Sequence, residues 1–177
     1  MSHAVPPLLA FTAFSGTGKT TLLTQLIPRL NQAGIRVGII KHTHHNVDVD
    51  TPGKDSYELR KAGARQTMVA SEARWALMTE TPDLAMPTLL WLAGQMDSGL
   101  IDVILVEGFK DEPVPKIALF RQDTGKEWRP LIDGHVIAVA CDVQIDVNLP
   151  LLDINQPDAI AIFIANWLRV QQQSGVG

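Results

Sequence analysis

The strongest chemical signal in the chain is one run, Ala13-Phe14-Ser15-Gly16-Thr17-Gly18-Lys19-Thr20-Thr21. It lies between an apolar stretch, Leu8–Phe14, and a segment with Leu22, Leu23, Leu26, Ile27 and Leu30 on one helical face. That is the strand–loop–helix context of a P-loop. Gly16 and Gly18 let the backbone fold tightly and turn its N–H groups inward. Those donors and the positive end of the following helix suit a phosphate chain. Residues Ser15, Gly16, Thr17, Gly18, Lys19, Thr20 and Thr21 would then form the cradle. Lys19 supplies a point charge for the β- and γ-phosphates, Thr20 a hydroxyl for Mg²⁺, and Thr21 a contact to the α-phosphate. One position departs from the usual pattern. Its first glycine is Ala13 here, which is expected to restrict φ at the loop entrance. A dinucleotide fingerprint is disfavoured, because its last glycine would fall on Thr21.

A bound triphosphate with Mg²⁺ needs a carboxylate at the end of another strand. The apolar run Leu100–Val106 delivers Glu107, followed at once by Gly108. The second strand ends at Lys41, a further cation for the phosphates, so Lys19, Glu107 and Lys41 are the expected catalytic groups. Beyond it, Asp48 and Asp50 share one face of an extended chain and are expected to serve the metal with Thr20 and Glu107. His42, His44 and His45 read either as a polar rim or as a transition-metal site. Asp142, just past an apolar strand, either reads a purine edge or starts a turn.

The elements that must position these groups follow from periodicity. Leu8–Phe14 and Ile35–Lys41 read as strands flanking the helix, a right-handed βαβ unit. Pro28 predicts a kink in that helix, and Asn31 with Gly34 a stop. Lys54–Ala62 reads as a short helix. Gln66–Ala70 and Arg74–Thr79 read as a hairpin turning at Ser71–Ala73. Asp83–Met96 reads as a helix, Leu100–Val106, Lys116–Arg121 and Val136–Ala140 as strands, and Asp158–Val170 as a closing helix. The tail, Gln171–Gly177, reads as frayed. The expected fold is an α/β, P-loop NTPase-like domain. Its mostly parallel sheet is flanked by helices, and a β-hairpin and short helix are inserted at about 42–80. With no linker-like break, residues 1–177 read as one domain.

Composition agrees. With 177 residues, 46% hydrophobic and 19% charged, the chain can bury a real core. A net charge of −4 argues against nucleic acid or an anionic membrane as partner. No apolar run approaches the roughly 18 residues of a membrane span. Met1–Pro7 lacks the features of a secretory signal. The lone Cys141 fits a reducing cytoplasm.

Several phrases together are more specific than the loop alone: Thr17-Gly18-Lys19-Thr20-Thr21-Leu22, Ile40-Lys41-His42-Thr43-His44-His45, Asp50-x-Pro52-Gly53-Lys54-Asp55-Ser56 and Val106-Glu107-Gly108-Phe109-Lys110. In this order, from about Leu8 to the closing helix, the chain resembles the MobB family, the molybdopterin-guanine dinucleotide biosynthesis proteins B. The resemblance implies a GTP-binding adaptor with weak Mg²⁺-dependent GTPase activity. It implies a guanylyltransferase partner, MobA, a homodimer, and molybdopterin as a further ligand. Related P-loop proteins such as dethiobiotin synthetases place an acid after the second strand and a Glu in a Val-Glu-Gly phrase around Mg²⁺, which supports Asp50 and Glu107.

Some questions stay open at this level. The hairpin residues Met68, Val69, Trp75, Leu77 and Met78 must pack on their own domain or on a partner chain. No Asn is followed by Lys, so guanine preference rests on the resemblance. Arg60, Arg65 and Arg74 act across a dimer, bind an anionic pterin or line a solvated face. The alternative functions are an ATP-dependent phosphotransferase or ligase on the same fold, and a nucleotide-switched module delivering metal or cofactor.

Overall fold

Leu8–Ala13 (β1) is apolar at every position but Thr12, and both of its faces are used. Leu9 and Phe11 face one way, into a core built with Leu22, Leu23, Leu26 and Leu30 of Lys19–Gln32 (α1) and Ile160, Ile164 and Leu168 of Pro157–Ser174 (α4). Leu8 and Ala10 face the other way, onto Leu89 and Ala93 of Leu89–Ala93 (α3). The period-2 alternation of a strand thus places helices on both faces of a sheet.

The computed structural model describes residues 5–43, 47–82 and 87–174. The chain divides into two compact units, one comprising Met1–His42 with Leu89–Gly177, the other Thr43–Thr88. The first unit holds a six-stranded sheet. Its order is Val37–Lys41 (β2), Val103–Glu107 (β5), β1, Lys116–Phe120 (β6), Val136–Cys141 (β7) and Leu151–Asp153 (β8). Every neighbouring pair is parallel. β5 therefore lies between β1 and β2, and β1 lies between β5 and β6. The order reverses around β1, and ligands of such sheets bind at the carboxyl ends there. This is the expected P-loop NTPase-like arrangement. Among the described residues no helix is long and apolar enough to cross a membrane.

The second unit contains a short helix, Asp55–Lys61 (α2), and an antiparallel hairpin, Gln66–Ala70 (β3) with Trp75–Thr79 (β4). Gln66 pairs with Thr79 and Ala70 with Trp75, so the turn falls on Ser71–Arg74, where Ser71 N donates to Arg74 O at 2.8 Å.

The helix is kept through Pro28, as expected: α1 runs from Lys19 to Gln32 with the proline inside it. The lost hydrogen bond and ring clash cost about 3 kcal/mol. Burying Leu22, Leu23, Leu26 and Leu30 gains about 1.5–3 kcal/mol each, so burial wins. The helix ends where predicted, in a Schellman closure: Gly34 N donates to Asn31 O and Ile35 N to Leu30 O, with Gly34 at φ 77°. The helix expected over Asp83–Met96 is only Leu89–Ala93 among the described residues; residues 83–86 lie outside them. Its last turn tightens, with Gly94 N on Leu90 O but Met96 N on Ala93 O. Of the tail expected to fray, Gln171 to Ser174 instead continue α4, with Ser174 Oγ donating to Val170 O, and residues 175–177 lie outside the described residues.

Candidate functional site

The phosphate loop joins β1 to α1. Its two glycines carry the unusual backbone, Gly16 at φ 85° and Gly18 at φ 87°. Ala13, by contrast, is the last residue of β1 and pairs in register with Leu119. Alanine there is not among the positive-φ residues, so the missing first glycine costs the loop nothing. Thr17 is buried and closes the loop on itself: its Oγ1 and N both donate to Phe14 O, at 2.9 and 3.3 Å.

The start of α1 is the notable feature. Gly18 stands at the cap position, no side chain caps the helix, and its first turn has no acidic residue. A helix leaves its first N–H groups without intrahelical partners, and an acid or a capping side chain is the usual remedy. This helix has neither, and it presents Lys19 and the exposed Thr20 and Thr21 instead. An anion is the group that such an end accepts.

Register brings the second group to it. Glu107 ends β5, opposite Phe11 of β1 on one side and Lys41 of β2 on the other. Its carboxylate lies 3.7 Å from Lys19 Nζ and 3.8 Å from Lys41 Nζ. Lys19, Glu107 and Lys41 are thus brought together as expected. Neither separation is a hydrogen bond, so each cation is held loosely enough to exchange for a phosphate oxygen. Glu107 O accepts from His42 N at 2.8 Å. The next peptide turns sharply, with Gly108 at φ 93° and Phe109 at φ 47°, the only positive-φ residue other than glycine among those described. A Cβ at Gly108 would sit 2.7 Å from the His42 Cβ, so glycine is required there. Phe109 stacks against the His42 ring at 4.8 Å. Backbone strain next to a carboxylate at a strand end is common in ligand sites.

Two groups that the sequence reading missed stabilise this end of the sheet. Lys116 is fully buried at the start of β6, and its Nζ donates to Lys110 O and to Asp133 Oδ2. It anchors the loop that follows Glu107. Arg121, just past β6, donates from Nε to Thr17 O at 3.2 Å. The rule that singled out Glu107, the first polar residue after an apolar strand beside β1, picks out Arg121 equally well. Asp142 follows β7. Its Oδ1 accepts from Gln122 N at 3.0 Å and its Oδ2 lies 3.8 Å from Arg121 Nη1, so it organises the turn after β6. Cys141 is buried, its Sγ donates to Val143 O at 3.1 Å, and burial pushes its thiol pKa up. An inert thiol is expected.

In the second unit, Asp48 and Asp50 do share a face, and a guanidinium fills it. Arg60 Nη2 donates to Asp48 Oδ1 at 2.7 Å and to Asp50 Oδ1 at 2.6 Å, and Nη1 donates to Glu80 Oε1 at 3.0 Å. Lys61 adds an ion pair to Asp48 at 3.4 Å. The Arg60 hydrogen bonds hold both aspartates below the usual carboxylate range, and Asp50 raises Arg60 in turn. Arg60 is only 8% exposed, so it is neither a solvated cation nor an open anion site. A buried charge needs its partners, which is the physical reason for that correction. His44 and His45, the core of the transition-metal reading, lie outside the described residues. Among the described residues no group of three or more His, Cys, Asp or Glu could hold a metal ion.

Comparison with known proteins agrees in one direction. The profile of the family described as MobB, molybdopterin guanine dinucleotide synthesis protein B, matches residues 8–142. A molybdopterin-guanine dinucleotide biosynthesis adapter protein of Escherichia coli (strain K12) is 60% identical over 170 residues, 96% of each chain. One of Haemophilus influenzae is 52% identical over 162 residues, 92% of this chain and 89% of that one. Among solved structures, a molybdopterin-guanine biosynthesis protein B superposes with a TM-score of 0.73 at 26% identity, over 92% of this chain and 99% of that one. A MobB of Bacillus subtilis superposes with a TM-score of 0.71 at 25% identity, over 90% of this chain and 96% of that one.

Proposed function

The chain belongs to the MobB family, and from that premise we propose that it is a GTP-binding adaptor, with weak Mg²⁺-dependent GTPase activity, in formation of the guanine dinucleotide form of the molybdenum cofactor. Its role in molybdopterin-guanine dinucleotide biosynthesis rests on the family and on the near-full-length relatives. The nucleotide part rests on one observation above all: an uncapped helix start behind Gly16 and Gly18, with Lys19 and Glu107 3.7 Å apart beside it.

In this reading Ser15–Thr21 wrap the phosphates, and Lys19 leaves Glu107 to bind the β- and γ-phosphate oxygens. Lys41 adds positive charge from the end of β2. The donor set fits Mg²⁺, which takes hard oxygens and is usually held by one or two protein groups plus phosphate and water. Thr20 and Glu107 supply such oxygens, and no larger protein cage is needed. When bound, Mg²⁺ offsets charge on the phosphates. Asp48 and Asp50 are oxygen donors too, but Arg60 bonds both oxygens of Asp50 and one of Asp48, so Asp50 would serve a metal only in competition with that guanidinium. Asp142 holds the Gln122 amide through Oδ1, which leaves Oδ2 as the oxygen that would accept from a guanine edge.

The partner is a guanylyltransferase of the MobA type, and molybdopterin is a further ligand of the complex. A second copy of the chain is expected as well. Met68 and Trp75 of the hairpin are 61% and 65% exposed, and Val69 and Leu77 are exposed beside them. A two-stranded hairpin is marginal alone in water, and pairing with its copy would bury that surface. The cytoplasm is the expected location.

Glu107→Gln tests the metal half of the reading. The variant keeps the shape and loses the charge that binds Mg²⁺ and orients Lys19. Titration of GTP hydrolysis with Mg²⁺ should show the half-saturating concentration raised about tenfold, the usual penalty for losing a charged oxygen ligand. An unaltered titration would remove Glu107 from the metal's surroundings.

A further inference from the structure

Thr17 is held from two sides. Its own hydroxyl and amide bond to Phe14 O, and its carbonyl accepts from Arg121 Nε at 3.2 Å. The residue is 1% exposed, so the peptide that follows it has little freedom. In a trans peptide the carbonyl and the next N–H point in opposite directions, and no cis peptide occurs among the described residues. A Thr17 carbonyl drawn towards Arg121 therefore turns the Gly18 N–H away from Arg121, to the opposite side of that peptide. Gly18 at φ 87° would otherwise admit the flipped peptide easily. The guanidinium itself is steadied by Asp142, 3.8 Å from Nη1, and Asp142 also holds the Gln122 amide.

We propose that Arg121 is a positioning residue for nucleotide binding, which locks the Thr17–Gly18 peptide in the orientation that turns the Gly18 N–H into the phosphate cradle. It acts through the hydrogen bond from Nε, not through its charge on the phosphate. Through Asp142 it also links the ends of β6 and β7 to the phosphate loop. This inference rests on the P-loop reading above.

The chemistry of the side chain allows a clean test. A glutamine carries its amide nitrogen the same number of bonds from Cα as the arginine Nε, so Arg121→Gln keeps the donor and loses the charge. Arg121→Met keeps a similar stem and loses both. Equilibrium titration with GTP and Mg²⁺, on variants whose unfolding is measured in parallel, separates the outcomes. The expected result is near-native affinity for Arg121→Gln and about a tenfold loss for Arg121→Met, the scale of one hydrogen bond to a charged ligand. Equal losses in both variants, with binding kept in Arg121→Lys, would mean that charge is what matters and would overturn the proposal. So would native affinity in Arg121→Met with only a lowered unfolding midpoint. If the unaltered protein does not bind GTP, the P-loop reading itself fails, and that result is read before any variant.

Discussion

Lys19→Ala is expected to reduce GTP hydrolysis by at least about a hundredfold, the cost of removing one pre-placed group that meets charge developing in the transition state. The ammonium is the one positive side chain of the phosphate loop itself, and it already lies 3.7 Å from the Glu107 carboxylate. Without it, the 60% exposed Lys41 is the one side-chain cation still paired with Glu107 among the described residues. Affinity should fall too, by about tenfold for one lost charged contact, and more for GTP than for GMP. The backbone cradle remains, so binding should survive in part while turnover does not. Single-turnover hydrolysis alongside a binding titration separates the two effects. Unchanged hydrolysis in the variant would remove the loop from the mechanism.

The second large effect lies in the other unit. Arg60→Ala leaves Asp48, Asp50 and Glu80 facing one another without the guanidinium that joins them. Asp50 is as buried as Arg60 itself, with 7% of its side chain exposed, so it cannot simply turn to water. Removing one member of a buried ionic cluster is among the more damaging single changes. Hydrogen exchange should show protection lost across 43–88 while the six-stranded sheet keeps its own. The same cluster sets a pH dependence. Arg60 holds Asp48 and Asp50 below their unfolded values, so the folded unit binds fewer protons than the unfolded one. Its stabilisation is complete above the ordinary carboxylate value of about 3.9 and is lost as pH falls through the lower folded values. Acidification below about pH 4 should loosen this unit in the wild type, and Arg60→Ala should abolish that dependence. Unaltered protection at neutral pH would contradict the role given to Arg60.

Much of the fold was legible because its signals are local. A strand, two glycines, a lysine and an amphipathic helix sit within thirty residues or so, and the hairpin announces itself by alternation around Ser71–Ala73. The carboxylate at Glu107 was legible for a related reason, since an apolar run has a readable end. What was not legible depends on distant partners. Arg60 looks like any surface arginine on a helix until the fold brings Asp48, Asp50 and Glu80 onto it. Lys116 opens an apolar strand and gives no hint that it is buried against Lys110 and Asp133. β8 is a three-residue edge strand after Pro150, too short to show a period. At Pro28 local propensity and tertiary burial oppose each other, and the helix that continues there follows burial. Arg121 could have been found by applying to β6 the reasoning applied to β5.

The central claim is that this chain binds GTP with Mg²⁺ at the Gly16–Thr21 loop. Equilibrium titration of the purified protein with GTP, GDP and ATP, each with and without Mg²⁺, tests it most directly. Saturable GTP binding that strengthens with Mg²⁺ and exceeds ATP binding is the predicted result. No saturable GTP binding at millimolar nucleotide, or equal binding with and without Mg²⁺, would contradict it.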